Sequence, residues 1–383
     1  MNKRNLILAF LILSGISAIG QTDTTKEKDK STDTAKVSGF DKFNKKMEKL
    51  FKVIPVPIIS YSTDAGNTLG LAKFNLINLS KKDTISKPSK LSGVFTFSDK
   101  GRINASIATE LIFNENRNMI LAYVNYKKTP EYIYGIGNDV TREGQEEVLS
   151  ERFKFSATIL QRIDKKFLYA GPVIDYTNYF KIEVDSLGYL YKNSYPGING
   201  GASVGVGIGL AHDSRSNRYN PQQGTFILGS FVAHPEFLGS KYDFTKFNLD
   251  VRHYFNPWLK HIIAVQATTT ATYGDVPFYE LALMGGDSKM RGYYEGAYRD
   301  KVLLDGQVEY RMPVWNIFGV VAWVGTGRVA DYYGNLGING FHMSYGWGVR
   351  IKVDSKNNTN LRVDFGYGPG GLRGTYINFA EAF

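Results

Sequence analysis

The chain has 383 residues, a net charge of +10 and no cysteine. The lack of cysteine excludes disulfides, thiol catalysis and thiolate-held metal, and dispersed basic residues without a clustered stripe or a recognisable module speak against a nucleic-acid partner. No apolar run reaches the about 20 residues of a membrane-spanning helix, yet 25 Tyr, 24 Phe and 40 Gly against 12 Pro do not suit a soluble secreted protein.

Residues 1–20 read as a secretory signal peptide. Lys3 and Arg4 give a positive start, Leu6 to Leu13 form a short apolar run, and Ser17-Ala18-Ile19-Gly20 offer small residues for cleavage. No cysteine follows, so a lipid-anchored lipoprotein is excluded. Residues 21–36 are polar, charged and low in complexity, as in a disordered linker. Over residues 37–52, Phe40, Phe43, Met47, Leu50 and Phe51 recur at helical spacing, which predicts a short amphipathic helix lying on the membrane boundary or tucked into a barrel mouth.

From Val53 to Phe383 the period changes to two. Strands are predicted to begin near Val53, Thr68, Lys90, Ile103, Asn118, Arg152, Phe167 and Ala202. Eight more follow near Thr225, Asp243, His261, Val302, Phe318, Phe341, Asn360 and Thr375. Sixteen strands of the roughly 10 residues usual in membrane barrels fill this length as one domain. The faces differ in kind. After Val302, Leu304, Val308, Tyr310 and Met312 oppose Asp305, Gln307, Glu309 and Arg311. After Asn360, Leu361, Val363, Phe365 and Tyr367 oppose Arg362, Asp364 and Gly366. Aromatic content of 14% suits two interfacial girdles, and alternation keeps mean hydropathy at −0.24. The expected fold is all-β: a 16-stranded transmembrane antiparallel β-barrel in the bacterial outer membrane, preceded by the short helix.

One predicted strand stands apart. Val204, Val206, Ile208 and Leu210 oppose Gly205, Gly207, Gly209 and Ala211, a nearly bare face. It leaves room for an inserted segment or marks a sharply coiled strand. Gly201-Ala202-Ser203-Val204-Gly205 in the same stretch matches the esterase nucleophile pattern, but that pattern needs a strand-to-helix turn. The five histidines are scattered without metal-binding spacing. His212 and Asp213 are adjacent on a strand and face opposite sides. No enzyme and no cofactor are expected.

The long insertion from Gly274 to Lys301 contains Met290-Arg291-Gly292-Tyr293. With Asp213-Ser214-Arg215 followed by Pro221 and Gly224, Glu309-Tyr310-Arg311-Met312-Pro313, Trp323-Val324-Gly325-Thr326-Gly327 and the aromatic Phe383, it resembles the BamA/TamA-type outer-membrane assembly superfamily over Pro55 to Phe383. In that family the long loop folds inside the barrel and its Arg pairs with acids on the wall. The resemblance implies a pair between Arg291 and Glu309. The family's second acid falls at Gly325, leaving Asp305 or Asp213 as substitutes. Only about 30 residues precede the first strand after the signal, fewer than the about 55 of a small independent fold, so a member without periplasmic POTRA domains is expected.

The implied function is insertion or translocation of proteins or lipids through a seam between the first and last strands. There Pro55 and Pro57 remove backbone donors, and Phe383 ends the chain. Outer-membrane lipids, unfolded outer-membrane proteins or a periplasmic accessory protein are the expected partners. A passive channel narrowed by the loop is the alternative, and the sequence leaves the oligomeric state open.

Overall fold

The computed structural model describes residues 54–62, 66–164 and 166–383; the expected signal peptide, linker and amphipathic helix lie outside them. The first strands are β1 Val56–Ser62, β2 Gly66–Ile77, β3 Ser89–Ser98, β4 Ile103–Phe113, β5 Asn118–Ile133 and β6 Glu146–Arg162. They are followed by β7 Leu168–Glu183, β8 Gly201–Asp213, β9 Gly224–His234, β10 Phe244–Trp258, β11 His261–Gly274 and β12 Ala282–Leu283. The last are β13 Arg299–Asp300, β14 Val302–Trp315, β15 Phe318–Ala330, β16 His342–Asp354, β17 Thr359–Tyr367 and β18 Arg373–Phe379. All but β12 and β13 form one 16-stranded sheet in which each strand lies beside its chain neighbour, antiparallel throughout.

Most strands start within three residues of the positions expected from alternation. β6 is the largest difference, starting at Glu146 rather than Arg152, because Glu146 and Glu147 look like loop polarity although they continue the alternation. The β12–β13 pair leaves no trace in the alternation: at two residues a strand, it has no period to detect.

The two faces invert the usual rule of apolar inside and polar outside. On β14, Asp305, Gln307, Glu309 and Arg311 are buried while Leu304 and Val308 are exposed. On β8, Ile208 is 64% exposed. An outer face of this kind is stable only against hydrocarbon, and a sheet in lipid must satisfy its backbone through interstrand bonds. The two ends of the sheet approach each other. Phe74 of β2 stacks on Phe379 of β18 with ring centroids 5.3 Å apart. No backbone ladder joins β1 to β18 among the described residues.

The bare glycines of β8 answer to curvature rather than to an inserted segment. A Cβ on Gly207 would overlap the Phe231 carbonyl and come within 2.7 Å of Val232 Cα, both on neighbouring β9. One on Gly209 would press on Thr158, Val173 and Leu160 of β6 and β7. The inner face is therefore filled by the sheet's own flanking strands. Gly207→Ala is expected to destabilise the folded protein by about 1–3 kcal/mol, the usual cost of overpacking. Gly93→Ala, where the added Cβ would meet only Ser106 O at 3.6 Å, should be near neutral. Thermal unfolding of the two variants side by side checks this, and equal losses would refute the curvature account.

Antiparallel neighbours place successive connectors on alternate rims. Residues 275–301, carrying β12 and β13, enter from one rim. Residues 214–223 and the stretch after β18 enter from the other.

Candidate functional site

The tip of the 275–301 connector is a tight backbone turn. Gly285, Gly286 and Gly292 all have positive φ, as does Met290 at 45°. Gly292 is required twice over, since at φ 112° a Cβ would also come within 2.7 Å of Tyr367 N. On the opposing wall a Cβ at Gly366 would lie 2.6 Å from the Arg291 carbonyl carbon. Two glycines thus let the tip and β17 touch backbone to backbone.

Hydrogen bonds then fix the tip. Gly292 N–H donates to Tyr376 Oη at 2.9 Å, and Ser344 Oγ donates to the Arg291 carbonyl at 2.6 Å. Tyr293 Oη donates to the Met343 carbonyl at 2.8 Å. Burial pushes the Tyr293 phenol up to about 12, so it keeps that proton at neutral pH. Met290 packs with Met284, Leu303 and Val329.

Arg291 is fully buried. Its Nη2 lies 2.7 Å from Glu309 and its Nη1 2.7 Å from Asp364. Its guanidinium carbon sits 3.6 Å from the centre of the Trp323 ring. A planar fork that meets two carboxylates and an aromatic face uses what distinguishes Arg from Lys. The carboxylates are shared further. Glu309 accepts from Arg311 at 2.8 Å, and Asp364 accepts from Arg350 at 2.6 Å and Arg362 at 2.8 Å. Arg350 also reaches Glu381 at 2.6 Å, and Arg362 lies 3.4 Å from Asp287 beside the tip. Four guanidiniums thereby face four carboxylates, which is what an interior of low dielectric demands of buried charge.

The register explains why these residues meet. Glu309 and Arg311 alternate inward on β14, Arg350 does so on β16, and Arg362 and Asp364 on β17. Arg350 is directly opposite Arg362, and Gly348 opposite Asp364. A side chain at Gly348 would overlap the Asp364 carboxylate.

The second acid is therefore Asp364, not Asp305 or Asp213. At Gly325 the missing carboxylate is replaced by Gln307 from the neighbouring strand. Its amide donates to Gln266 and to the Ser288 carbonyl, each at 2.7 Å. Its oxygen lies 3.3 Å from Arg291 Nη2. Asp305 accepts from Thr268 at 2.9 Å and lies 3.5 Å from Lys289. Asp213 holds Arg215 at 2.9 Å and Arg218 at 2.8 Å in the connector from the other rim, where Arg218 also meets Glu110. Arg215 lies 4.1 Å over the Phe226 ring; burial acts to lower its pKa, but the field and hydrogen bond of Asp213 with the field of Glu110 and Tyr254 together raise it. Alternation places Asp364 on the inner face with Arg362 but does not show that β17 lies two strands from Trp323's β15 and close to the tip.

The last residues depart from expectation. β18 ends at Phe379, and Ala380 turns the chain with φ 66°. Phe383 is buried against Tyr254 and Ala264, and Arg311 Nη2 donates to its carbonyl at 2.9 Å. Phe383 is thus not part of a seam strand. Pro57 does lie on β1, opposite Leu71, and Pro55 directly precedes it.

A His–Asp pair that the sequence did not suggest joins β9 to β7. His234 Nε2 lies 3.4 Å from Asp175, with the ring stacked on Phe244. The buried Ser203 hydroxyl has no hydrogen-bond partner and is not bonded to this pair.

The Omp85 superfamily domain matches residues 140–379. Among solved structures, CdiB from Escherichia coli aligns with a TM-score of 0.52 at 10% identity, covering 89% of this chain and 70% of that one. BamA from Haemophilus ducreyi, in a form lacking POTRA domains 1–3, aligns at 0.49 and 14% identity over 90% of this chain and 77% of its own. CdiB from Acinetobacter baumannii aligns at 0.48 and 13% identity over 85% and 57%. No curated protein matches in sequence. The chain belongs to the Omp85 superfamily and resides in the outer membrane.

Proposed function

We propose that this protein inserts or translocates other molecules, foremost unfolded β-barrel proteins, at the outer membrane, and that the sheet closes as a barrel whose working seam lies between β1 and β18. The observation that carries this reading is the contrast between interior and edge. The loop tip is tied to the wall by buried ion pairs, whereas the described parts of β1 and β18 share no ladder. A strand edge with unpaired donors and acceptors is a template for an incoming strand. Pro57 on β1 weakens pairing at that edge. Membership of the superfamily favours the same reading, although fold alone does not fix function.

The absence of native cysteine makes a direct test practical. Ile59→Cys and Ile377→Cys place one thiol on each edge strand and leave Pro57 in place. In proteoliposomes the reduced protein should speed insertion of an unfolded outer-membrane barrel several-fold over empty vesicles. Oxidation should abolish the gain, and reductant restore it. No acceleration, together with a large steady conductance of the unmodified protein, would instead make it a passive channel.

A further inference from the structure

A second polar region lies away from Arg291. A cavity of about 490 Å³ opens between the inner faces of β5, β6, β7 and β10 and the β12–β13 pair. At about 30 Å³ per water, it has room for an oxyanion with several waters.

Its wall carries more positive than negative charge. Five cations and three carboxylates line it, and most of them are paired. Glu131 is 3.4 Å from Lys127 and 3.8 Å from Arg152, and Glu280 is 3.0 Å from Lys246. The remaining carboxylate, Glu295, is exposed. That leaves Lys154 and Arg299, for which the described residues offer no carboxylate within ion-pair distance. Lys154 feels the fields of Asp175 and Glu280 from beyond that distance; Glu280 is engaged by Lys246, whereas Asp175, 3.4 Å from the His234 ring, keeps its charge and offsets part of that of Lys154.

Arg299 is the sharper anomaly. It is 1% exposed and donates through Nε to the Gly296 carbonyl at 2.9 Å, but its Nη1 has no partner. Burial holds its pKa below the usual arginine range, the opposing field of Glu131 being the smaller effect. A buried guanidinium left without a counter-charge is costly. Thr177 on the same wall also has a buried hydroxyl without a partner. A neutral ligand would leave this excess of positive charge standing. An oxyanion with several acceptor oxygens supplies counter-charge, partners for the guanidinium fork and an acceptor for the free hydroxyl together.

We infer that this cavity is a binding site for a phosphate-class oxyanion, held by Arg299 and Lys154. The site is independent of the seam and of any insertion activity. The phosphate could be free or carried on a lipid headgroup, and the test separates the two.

The full-length protein, prepared without phosphate, is titrated with inorganic phosphate by calorimetry in detergent. It is then incorporated into phosphatidylcholine vesicles with or without a glycolipid bearing phosphate monoesters, and its unfolding temperature is measured. Saturable binding of inorganic phosphate supports a free anion. Stabilisation only by the glycolipid supports a lipid-borne one. In either case Arg299→Gln and Lys154→Gln should each weaken the effect about tenfold or more, corresponding to about 1.4 kcal/mol, while Lys356→Gln on the far rim leaves it unchanged. Should Arg299→Gln not fold, Lys154→Gln decides alone. Binding of neither probe, or binding unaltered in the cavity variants, overturns the inference.

Discussion

Replacing Arg291 with alanine should release the 275–301 connector from the wall while leaving the sheet folded. The asymmetry lies in the partners left behind. Glu309 retains Arg311, and Asp364 retains Arg350 and Arg362, so neither carboxylate is stranded. What is lost is the anchor of the tip: two buried charge-assisted bonds and the contact over Trp323. A hydrogen bond to a charged group is worth about 1.5–3 kcal/mol, and a desolvated cation–π contact adds about 2 kcal/mol, together enough to undock the tip. In planar bilayers the variant should show a larger and less steady conductance than the unmodified protein, with strand content unchanged by circular dichroism.

Asp364→Asn should behave differently. It leaves Arg291, Arg350 and Arg362 facing a neutral amide, so the wall itself loses stability. Combining the two changes should give less than the sum of their separate losses by at least about 1 kcal/mol, as expected for residues in direct contact. Additive losses, or a conductance unmoved by Arg291→Ala, would refute the anchor.

The double variant Glu381→Gln/Phe383→Ala is expected to cause the other large loss. Truncating a buried Phe costs about 3–5 kcal/mol. Removing the Glu381 charge also takes a carboxylate from Arg350 Nε and a strong acceptor from Asn360, which donates to it at 2.7 Å. Heat-dependent gel migration should shift to lower temperature, and amides of β18 should exchange faster, because Ala380 N–H donates to the Asn360 carbonyl only while the turn holds. If unfolding temperature and exchange match the unmodified protein, residues 380–383 do not pack inside.

Much of this arrangement was legible in the residues because lipid imposes a strict period of two. Leu304 and Glu309 differ in face for the same reason that they differ in chemistry, and the strand starts follow. Arg291 and Glu309 could be paired because a buried guanidinium must find carboxylates. Asp364 could not be singled out, since choosing among inward acids requires knowing which strands the tip leans on, a long-range fact. The inward turn after β18 hangs on one alanine at positive φ, which no local preference announces. The glycines of β8 were visible, but a bare face reads alike whether it admits a foreign segment or a tighter bend.

The arginine–carboxylate network also bears on the order in which the wall can be completed. Its members come from the long connector, β14, β16, β17 and the residues past β18, so Arg291 reaches Asp364 across 73 positions of chain. Closing separations of that size costs entropy before any contact repays it, and the network is a late event in folding. Until Glu381 arrives, four guanidiniums share three carboxylates. An unfinished chain therefore carries an uncompensated positive charge at its centre, and its electrostatics distinguish it from a finished one.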